Sequence, residues 1–517
     1  MAKSMTSMKN NLIISTAGTG SRLHQISNKL NKALLPYRNR PIICHTIDQI
    51  PLDFKVGVLV GYRSEQVKDF LNLAYPERTI SYIQVDDWTS EKSGTGYSLM
   101  CAEQFVNDSF WYFPCDGVYK NLDFLTKKYE EDVFVVSKVN PSQAYQYLTF
   151  SLSNGRIIDK FFKSAKPHGD FAFTGAMKIK DKSRFFASLE KTKSNEFVAV
   201  IEKDSLTHVT TNWADMGNLE AYLANLSESG QFDFSKKGEF TFQLDKKIIK
   251  WWDNPNIANF KLKKPEIKPE VFPKRVQAIN QFLMYEKAIG YPYYEKVNSE
   301  NFKFLLAWLQ KNVWTLDDGD ITKELRNFYE EKTTSRINAL GKKRLQDNYN
   351  PKVINGIRVG TWEKYFEEIN WNHLATKQQS SFIHGDLQFD NIIYNEVQKK
   401  FTLIDWRHEF SQLLIKGDIY YDFAKMLGGI HVNYQEIKKH NFDIQNSNKV
   451  VRLKIPTANE SGKLIAILES CAMDMGLDIE KIRTLVPIIF WNMASLHKEP
   501  FANICWCLGL MHFEMLK

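Results

Sequence analysis

Asn11-Leu12-Ile13-Ile14-Ser15-Thr16-Ala17-Gly18-Thr19-Gly20-Ser21-Arg22 decides how the first half of this chain is read. Asn11 to Ser15 is a short apolar strand, and the two glycines beyond it let the backbone turn sharply. Ala17, Gly18, Thr19 and Gly20 then form a loop whose amide N–H groups can approach phosphate oxygens, and Arg22 adds a charge-assisted contact to the same group. Outward from that loop, Lys55 to Gly61, Ile80 to Val85 and Phe110 to Phe113 read as further strands. Helical stretches, Ser64 to Leu73 and Gly96 to Phe105, lie between them. Strands alternating with helices predict βαβ units, an α/β class and a mostly parallel sheet, with ligands beyond the carboxyl ends of the strands.

The chain has 517 residues, more than one hydrophobic core usually supports, so two domains are expected, at 1–232 and 233–517. Apolar residues at 43% and charged residues at 25% are ordinary for a packed protein. The net charge of +8 is spread along the chain, and no nucleic-acid partner is expected. The densest basic stretch, Lys261 to Lys268, contains Pro265 and is followed by Pro269, which reads as a solvated connector. None of the six cysteines suggests a disulfide framework, and Cys505 and Cys507 lack a partner pair for zinc, so buried thiols in a reducing cytosol are the reading. Met1 to Asn11 is polar and the apolar run Leu12 to Ile14 is too short for a signal or a span. No membrane partner and a cytoplasmic location are expected; the sequence does not fix the oligomeric state.

The unusual residues of the first half fall after its strands. Lys32 stands in Asn31-Lys32-Ala33-Leu34-Leu35-Pro36, and Gly94-Thr95-Gly96-Tyr97-Ser98-Leu99 opens a helix. Asp116 in Phe113-Pro114-Cys115-Asp116-Gly117 ends a strand, and Lys160 and then Asp215, in Trp213-Ala214-Asp215-Met216-Gly217-Asn218, follow. Each carboxylate alone reads as a surface turn residue. A pair of them, however, can hold one Mg²⁺ that bridges an attacking phosphate and an α-phosphate. In this order, over Asn10 to Ser229, the motifs resemble the sugar-phosphate nucleotidyltransferase superfamily, with its G-x-G-x-R loop followed by Lys-x-Leu and its Rossmann-like fold. The resemblance implies that Ala17, Gly18, Thr19, Gly20, Gly94, Thr95 and Gly96 bind nucleotide. It implies that Arg22, Lys32 and Lys160 act on phosphate groups, and that Asp116 and Asp215 hold Mg²⁺. Asn31 departs from the family, which has proline before the lysine. Within the superfamily the sequence is most similar to phosphocholine cytidylyltransferases of bacterial surface-polysaccharide pathways, which implies CTP as a substrate.

The second half changes character. Phe240-Thr241-Phe242 alternates, Ile248 to Trp252 is strand-like, and longer helical stretches follow, as in a bilobal α+β domain. Ile383-His384-Gly385-Asp386-Leu387-Gln388-Phe389-Asp390-Asn391-Ile392 places an aspartate and an asparagine five residues apart. That spacing resembles the kinase catalytic loop, in which the aspartate deprotonates the attacking hydroxyl and the asparagine oxygen binds Mg²⁺. Asp405, in Leu403-Ile404-Asp405-Trp406-Arg407, is the second metal candidate, and Gly417-Asp418 and Asp422 complete the set. From Ser380 to Gly429 the chain resembles the choline kinase and aminoglycoside phosphotransferase family, whose fold is protein-kinase-like. Lys250 is the candidate for the ATP phosphates, with Lys247 its rival, and no glycine-rich loop precedes them. Phe328-Tyr329 to Arg336, with Lys332, resembles capsule-locus kinases, although helix-surface charge accounts for it as well.

The fusion carries its own expectation. One domain makes a phosphorylated alcohol and the other consumes one: X–OH and ATP give phospho-X, then phospho-X and CTP give CDP-X and pyrophosphate. The resemblance implies that X is choline or ethanolamine, a small amino alcohol, activated for capsule, lipopolysaccharide or lipid decoration. An aromatic cage, often with a carboxylate nearby, suits a quaternary ammonium. The helical lobe offers Trp362, Trp371, Trp406, Trp491 and Trp506, most of them expected in the core. The alternatives are a transferase for another phospho-polyol or sugar phosphate with its cognate kinase, a catalytically dead kinase-like module, or a detoxifying kinase. Intact Asp386, Asn391 and Asp405 argue against a dead module, and the attached transferase argues against detoxification.

Overall fold

The computed structural model describes residues 10–89, 93–153, 156–164, 166–192, 207–227, 238–346 and 350–517. Two compact units divide the chain, Met1–Gly230 with Thr241–Leu244, and Gln231–Phe240 with Asp245–Lys517.

The first unit is an α/β domain on a nine-stranded sheet. Asn10–Ser15 lies between Phe54–Val60 and Phe110–Pro114, parallel to both, with Ile13 opposite Gly57 and Tyr112. Leu12, Ile13 and Ile14 are fully buried, as an unbroken apolar run predicts for a central strand covered on both faces. Ile80–Gln84 extends the parallel part beyond Phe54–Val60. Gly57 is required by packing: a Cβ there would lie 2.7 Å from the Phe105 ring and 2.8 Å from Ile13 Cδ1. Helix Ser64–Ala74 buries Val67, Phe70 and Leu71, the i, i+3, i+4 face of an amphipathic helix. The unbroken parallel run stops at Phe110–Pro114, because Phe171–Ile179 runs antiparallel to it and to Val133–Lys138; beyond, Thr207–Thr210 is again parallel to Val133–Lys138, so the sheet is mixed rather than mostly parallel. The helix expected from Gly96 to Phe105 is Thr95–Met100 only. Beyond it the chain tightens into i→i+3 turns, with Ala102 N donating to Leu99 O and Phe105 N to Ala102 O.

In the second unit Lys247–Trp252, Phe282–Glu286 and Gln277–Ile279 form an antiparallel ladder, with Lys250 opposite Leu283. The stretch read as a solvated connector is instead the last part of helix Asn256–Ile267, and Lys261 and Lys264 are buried. Their stems pack as apolar chain while their ammonium groups donate to backbone carbonyls, Lys261 to Trp406 O and Lys264 to Ile383 O. Helices Ile419–His431, Ile479–Ala494 and Phe501–Met515 build the main core. Gly509 lets the last two approach, since a Cβ would lie 2.2 Å from Trp491. Trp491 and Trp506 stack with ring centroids 5.6 Å apart, and Trp362 packs on Trp506. Trp406 is buried against Phe272 and Trp371 packs on Phe366. Among the described residues no helix is long and apolar enough to cross a membrane.

Candidate active sites

In the first unit a two-stranded ribbon makes the site. Trp213–Asp215 pairs antiparallel with Gly117–Tyr119, setting Asp215 opposite Gly117 and therefore beside Asp116. Met216 N donates to Asp116 O at 2.8 Å and locks the register. Both carboxylates converge on Gly217, where a Cβ would be 3.1 Å from Asp215 Oδ1 and 3.3 Å from Asp116 Oδ2. Lys32 Nζ lies 2.8 Å from Asp116 Oδ2. Burial pushes the Asp116 carboxyl up, but the Lys32 charge and hydrogen bond outweigh it and leave Asp116 below its ordinary value. Among the described residues no lysine or arginine pairs with Asp215 as Lys32 does with Asp116, and Arg22 lowers it only slightly. Burial, with Asp116 adding repulsion, raises it although Gly217 N donates to its Oδ1 at 2.8 Å. Tyr147 OH donates to Asp215 Oδ2 at 3.1 Å.

The phosphate-loop candidates lie at the end of the central strand. Gly20 adopts φ 72°, packs on Lys32 Cβ and needs its missing side chain. At Gly18 a Cβ would meet nothing within 4 Å, so the loop faces open space there. Ala17 is buried and its carbonyl accepts from Tyr62 N. Arg22 is exposed and borders, with His24, Gln146, Asn218 and Glu220, a cavity of about 520 Å³ beside Asp215. Thr19 precedes Gly20 and is half-buried, Gly94 caps Thr95–Met100, and Gly96 is buried in that helix. Lys160 lies on Arg156–Phe161 with Nζ 5.5 Å from the Phe162 ring.

Asn31 turns out to be structural. Its Nδ2 donates to Thr16 O at 3.1 Å and Tyr62 O at 2.7 Å, its Oδ1 accepts from Ala33 N, and its own N–H donates to Gln66 Oε1. A fully buried side chain thus ties the strand end to the segment that aims Lys32.

In the second unit His384-Gly385-Asp386 is held from below. Asp422 accepts His384 N at 2.9 Å and Gly385 N at 2.7 Å, one on each oxygen, and Lys264 holds Ile383 O at 2.7 Å. Asp386 N donates to His384 Nδ1, so His384 Nε2 carries its hydrogen toward Ile404 O at 2.9 Å. Burial pushes the His384 imidazole down to about 3, so it stays neutral and fixed. Gly385 has φ 82°, and a Cβ there would be 2.7 Å from Arg407 Cβ. Asp386 Oδ1 pairs with Lys425 Nζ at 2.8 Å and accepts from Gln388 Nε2 at 3.2 Å. Asn391 Nδ2 donates to Asp386 O at 2.8 Å, which leaves its Oδ1 to face a cation. Asp405 sits in the left-handed region at φ 58°, where its carboxylate pairs with Lys250 and accepts from Tyr285 OH. Asp418 is different in kind: fully buried, it is braced by Lys481 Nζ at 2.6 Å and Tyr329 OH at 2.9 Å.

The donors suit Mg²⁺. Asp116 with Asp215, and Asn391 Oδ1 with Asp405, are oxygen-only sets of two, and a hard cation completed by phosphate oxygens and water fits both. The sequence singled out neither Lys425 nor Tyr147. Lys425 was legible as the i+3 neighbour of Asp422 on one helix face; Tyr147 left no signal.

Residues 11–230 match the nucleotidyl transferase family and residues 324–442 the phosphotransferase enzyme family. The chain joins a nucleotidyl transferase domain to a phosphotransferase domain. Among curated proteins, the bifunctional protein GlmU of Methanococcus maripaludis is 26% identical over 218 residues, 40% of this chain and 51% of that protein. The UTP–glucose-1-phosphate uridylyltransferase AglF of Haloferax volcanii is 25% identical over 172 residues, 32% of this chain and 69% of that protein. This chain thus spans about half the length of the GlmU relative. A crystal structure of UDP-glucose pyrophosphorylase with UDP-glucose is 15% identical, covers 43% of this chain and 98% of its own, and has a TM-score of 0.36.

Proposed function

We propose that the chain is a bifunctional enzyme, phosphorylating a small alcohol with ATP in residues 233–517 and activating the phospho-product with a nucleoside triphosphate in residues 1–232. The observation that carries the reading is the presence, in one chain, of two separate phosphoryl-transfer constellations. One is Lys32, Asp116 and Asp215; the other is Asp386, Asn391, Asp405 and Lys250.

In the kinase, the acceptor hydroxyl hydrogen-bonds to Asp386, which takes its proton as the oxygen attacks the γ-phosphorus and ADP leaves. Asp422 and His384 keep that carboxylate in place. Lys250 holds the ATP phosphates once these displace it from Asp405. In the transferase, a phosphate oxygen of phospho-X attacks the α-phosphorus and pyrophosphate leaves; the nucleophile is already anionic, so no base is needed. Ala17 to Gly20 and Gly94 to Gly96 cradle the nucleotide, and Arg22, Lys32 and Lys160 neutralise phosphate charge. Mg²⁺, held by Asp116 with Asp215 and by Asn391 with Asp405, would supply further neutralisation of the phosphates.

CTP is the proposed nucleotide, on the likeness to phosphocholine cytidylyltransferases, and a CDP-activated product for surface polysaccharide or lipid follows from it. A uridylyl reaction on a sugar phosphate is the second reading, favoured by the names of the matched relatives. A cytoplasmic location fits the proposed consumption of ATP and CTP. The same sequence likeness nominates choline or ethanolamine as X, and the charge around Asp386 bears on that nomination. The test is the full chain with Mg²⁺-ATP and a panel of alcohols, followed by each nucleoside triphosphate, with pyrophosphate release as readout. Release that requires prior phosphorylation is the expected result; no release with any phospho-alcohol and any triphosphate overturns the coupling.

A further inference from the structure

Around Asp386 the second unit gathers more positive charge than ATP requires. A π-helical turn, Arg326–Glu331, interrupts the run from Thr322–Leu325 into helix Lys332–Gln346. Such a turn rotates the residues beyond it relative to a regular helix, and π-turns recur at functional sites. Here it sets Phe328 against Phe410, ring centroids 3.9 Å apart, and places Lys332 Nζ 3.0 Å from the Phe328 centroid. Arg407 Cζ lies 5.0 Å from the same ring and 5.7 Å from that of Tyr421, with Nε donating to Gly385 O beside the catalytic aspartate. Arg336 is steadied by Asn492, whose Oδ1 is 3.3 Å from Nη1. Lys425 completes the group on Asp386 itself.

Three neighbouring carboxylates have cations of their own: Asp386 has Lys425, Asp390 has Lys438 and Glu330 has Arg326. Among the described residues no carboxylate stands within ion-pair distance of Lys332, Arg336 or Arg407. Burial, together with Arg407, Arg336 and Lys425, drives Lys332 well below the ordinary lysine value, as expected where like charges crowd together. In the kinase reading the triphosphate would have its own counter-charges in Lys250 and a cation at Asn391 and Asp405, and Lys425 is committed to Asp386. Lys332, Arg336 and Arg407 are surplus to that need. An ammonium brought there would meet the Arg336 and Arg407 cations with, among the described residues, no carboxylate paired to either, and none of Trp362, Trp371, Trp406, Trp491 and Trp506 is among the rings of the cluster.

We infer that the alcohol phosphorylated at Asp386 carries its own negative charge, a carboxylate or a phosphate, which Lys332, Arg336 and Arg407 bind beside the Phe328 and Tyr421 rings. This rests on the kinase reading of Asp386 and replaces the amino alcohol with an acidic one. The reaction balances as before: the hydroxyl proton passes to Asp386, the γ-phosphoryl to the oxygen, and ADP leaves.

The test compares D-glycerate with glycerol, which differ by one carboxylate, under saturating Mg²⁺-ATP. Glycerol 3-phosphate serves as the phosphate arm, and choline and ethanolamine as the cationic arm. At least one of the anionic alcohols is expected to exceed glycerol and both amines in kcat/KM by about a hundredfold or more. Lys332→Gln and Arg336→Gln, each made separately, are expected to raise KM for that anion by about tenfold, with the smaller effect on kcat. Glycerol, choline or ethanolamine matching or outrunning both anions overturns the inference. If nothing in the panel turns over, calorimetry with a non-hydrolysable ATP analogue and Mg²⁺, followed by sulfate and then D-glycerate, decides. Anion binding to the analogue complex that Lys332→Gln abolishes supports the site. Analogue binding with no anion binding overturns this inference alone, and failure to bind the analogue overturns the kinase reading with it.

Discussion

Lys425 Nζ lies 2.8 Å from Asp386 Oδ1, and the helix that supplies it also supplies Asp422, whose two oxygens hold the backbone of His384 and Gly385. One face of Ile419–His431 therefore fixes the His384–Asp386 loop and pairs the proposed base. Burial alone would lower the Lys425 ammonium, but the charges of Asp386 and Tyr421 outweigh it and hold Lys425 above its ordinary value. Asp386 is thereby held in place, with one of its oxygens on Lys425 Nζ. That suffices for a loose phosphoryl transition state, where positioning and charge neutralisation do most of the catalysis.

Lys425→Met should therefore lower kcat for phosphorylation by roughly 10²–10³, the usual size of losing one preorganised charge-stabilising donor. Lys425→Arg should recover part of it, and nucleotidyl transfer from supplied phospho-X should be untouched. Single-turnover measurement of phospho-X formation is the check. A kcat for Lys425→Met within about threefold of the parent would remove Lys425 from the mechanism.

The two constellations are predicted to fail separately. Asp386→Ala should abolish phosphorylation and leave nucleotidyl transfer from supplied phospho-X nearly intact. Asp116→Ala should do the reverse, with a loss of several kcal/mol in barrier terms, about 10³-fold or more in rate, so that phospho-X accumulates. Parallel loss of both activities in either variant would show that the activities are not divided between the domains as proposed.

Asn31 is predicted to matter for stability and aim rather than for chemistry. Asn31→Ala leaves the carbonyls of Thr16 and Tyr62 and the N–H of Ala33 without their buried partner. Each unsatisfied buried group costs about 1–3 kcal/mol. The urea midpoint for loss of nucleotidyl transfer should fall, while that for loss of phosphorylation, measured on the same sample, stays put. An unshifted transferase midpoint would mean that water replaces the side chain without penalty.

How much of this was legible depends on what kind of signal each residue carries. Asp116, Asp215, Asp386, Asn391 and Asp405 stand in short motifs, where local order and spacing suffice to nominate them. Lys250 was legible from its apolar strand, but its partner Asp405 was not, because the pairing depends on a left-handed backbone at Asp405 and on the fold of the lobe. Lys261 to Lys268 was misread because charge density and Pro265 are surface signals. Nothing local reveals that carbonyls of Trp406 and Ile383 wait for those ammonium groups. The cation cluster needed the π-turn, which shifts Lys332 relative to Phe328 in a way a regular 3.6-residue period does not predict.

Asp215 offers a test in which stability and activity move in opposite directions. Its carboxyl is raised by burial and by Asp116, whereas Asp116 is lowered by Lys32. A carboxyl whose folded value lies above its unfolded value binds its proton more tightly when folded. Its stabilising contribution is present below the unfolded value and is lost as pH rises through the folded one. At neutral pH, without metal, Asp215 is therefore a destabilising charge, and Asp215→Asn should be more stable than the parent. The gap should close as pH falls through the raised Asp215 value, because the parent then carries a neutral acid there too. Mg²⁺ with nucleotide should stabilise the parent at neutral pH and do little for the variant, whose nucleotidyl transfer should be lost. The measurement is the urea midpoint of each protein from the acidic range to neutrality, with and without Mg²⁺ and CTP. A variant no more stable than the parent at neutral pH in the absence of metal would mean that the Asp215 charge is already compensated, and that Asp116 and Asp215 do not form the repulsive pair on which the metal assignment depends.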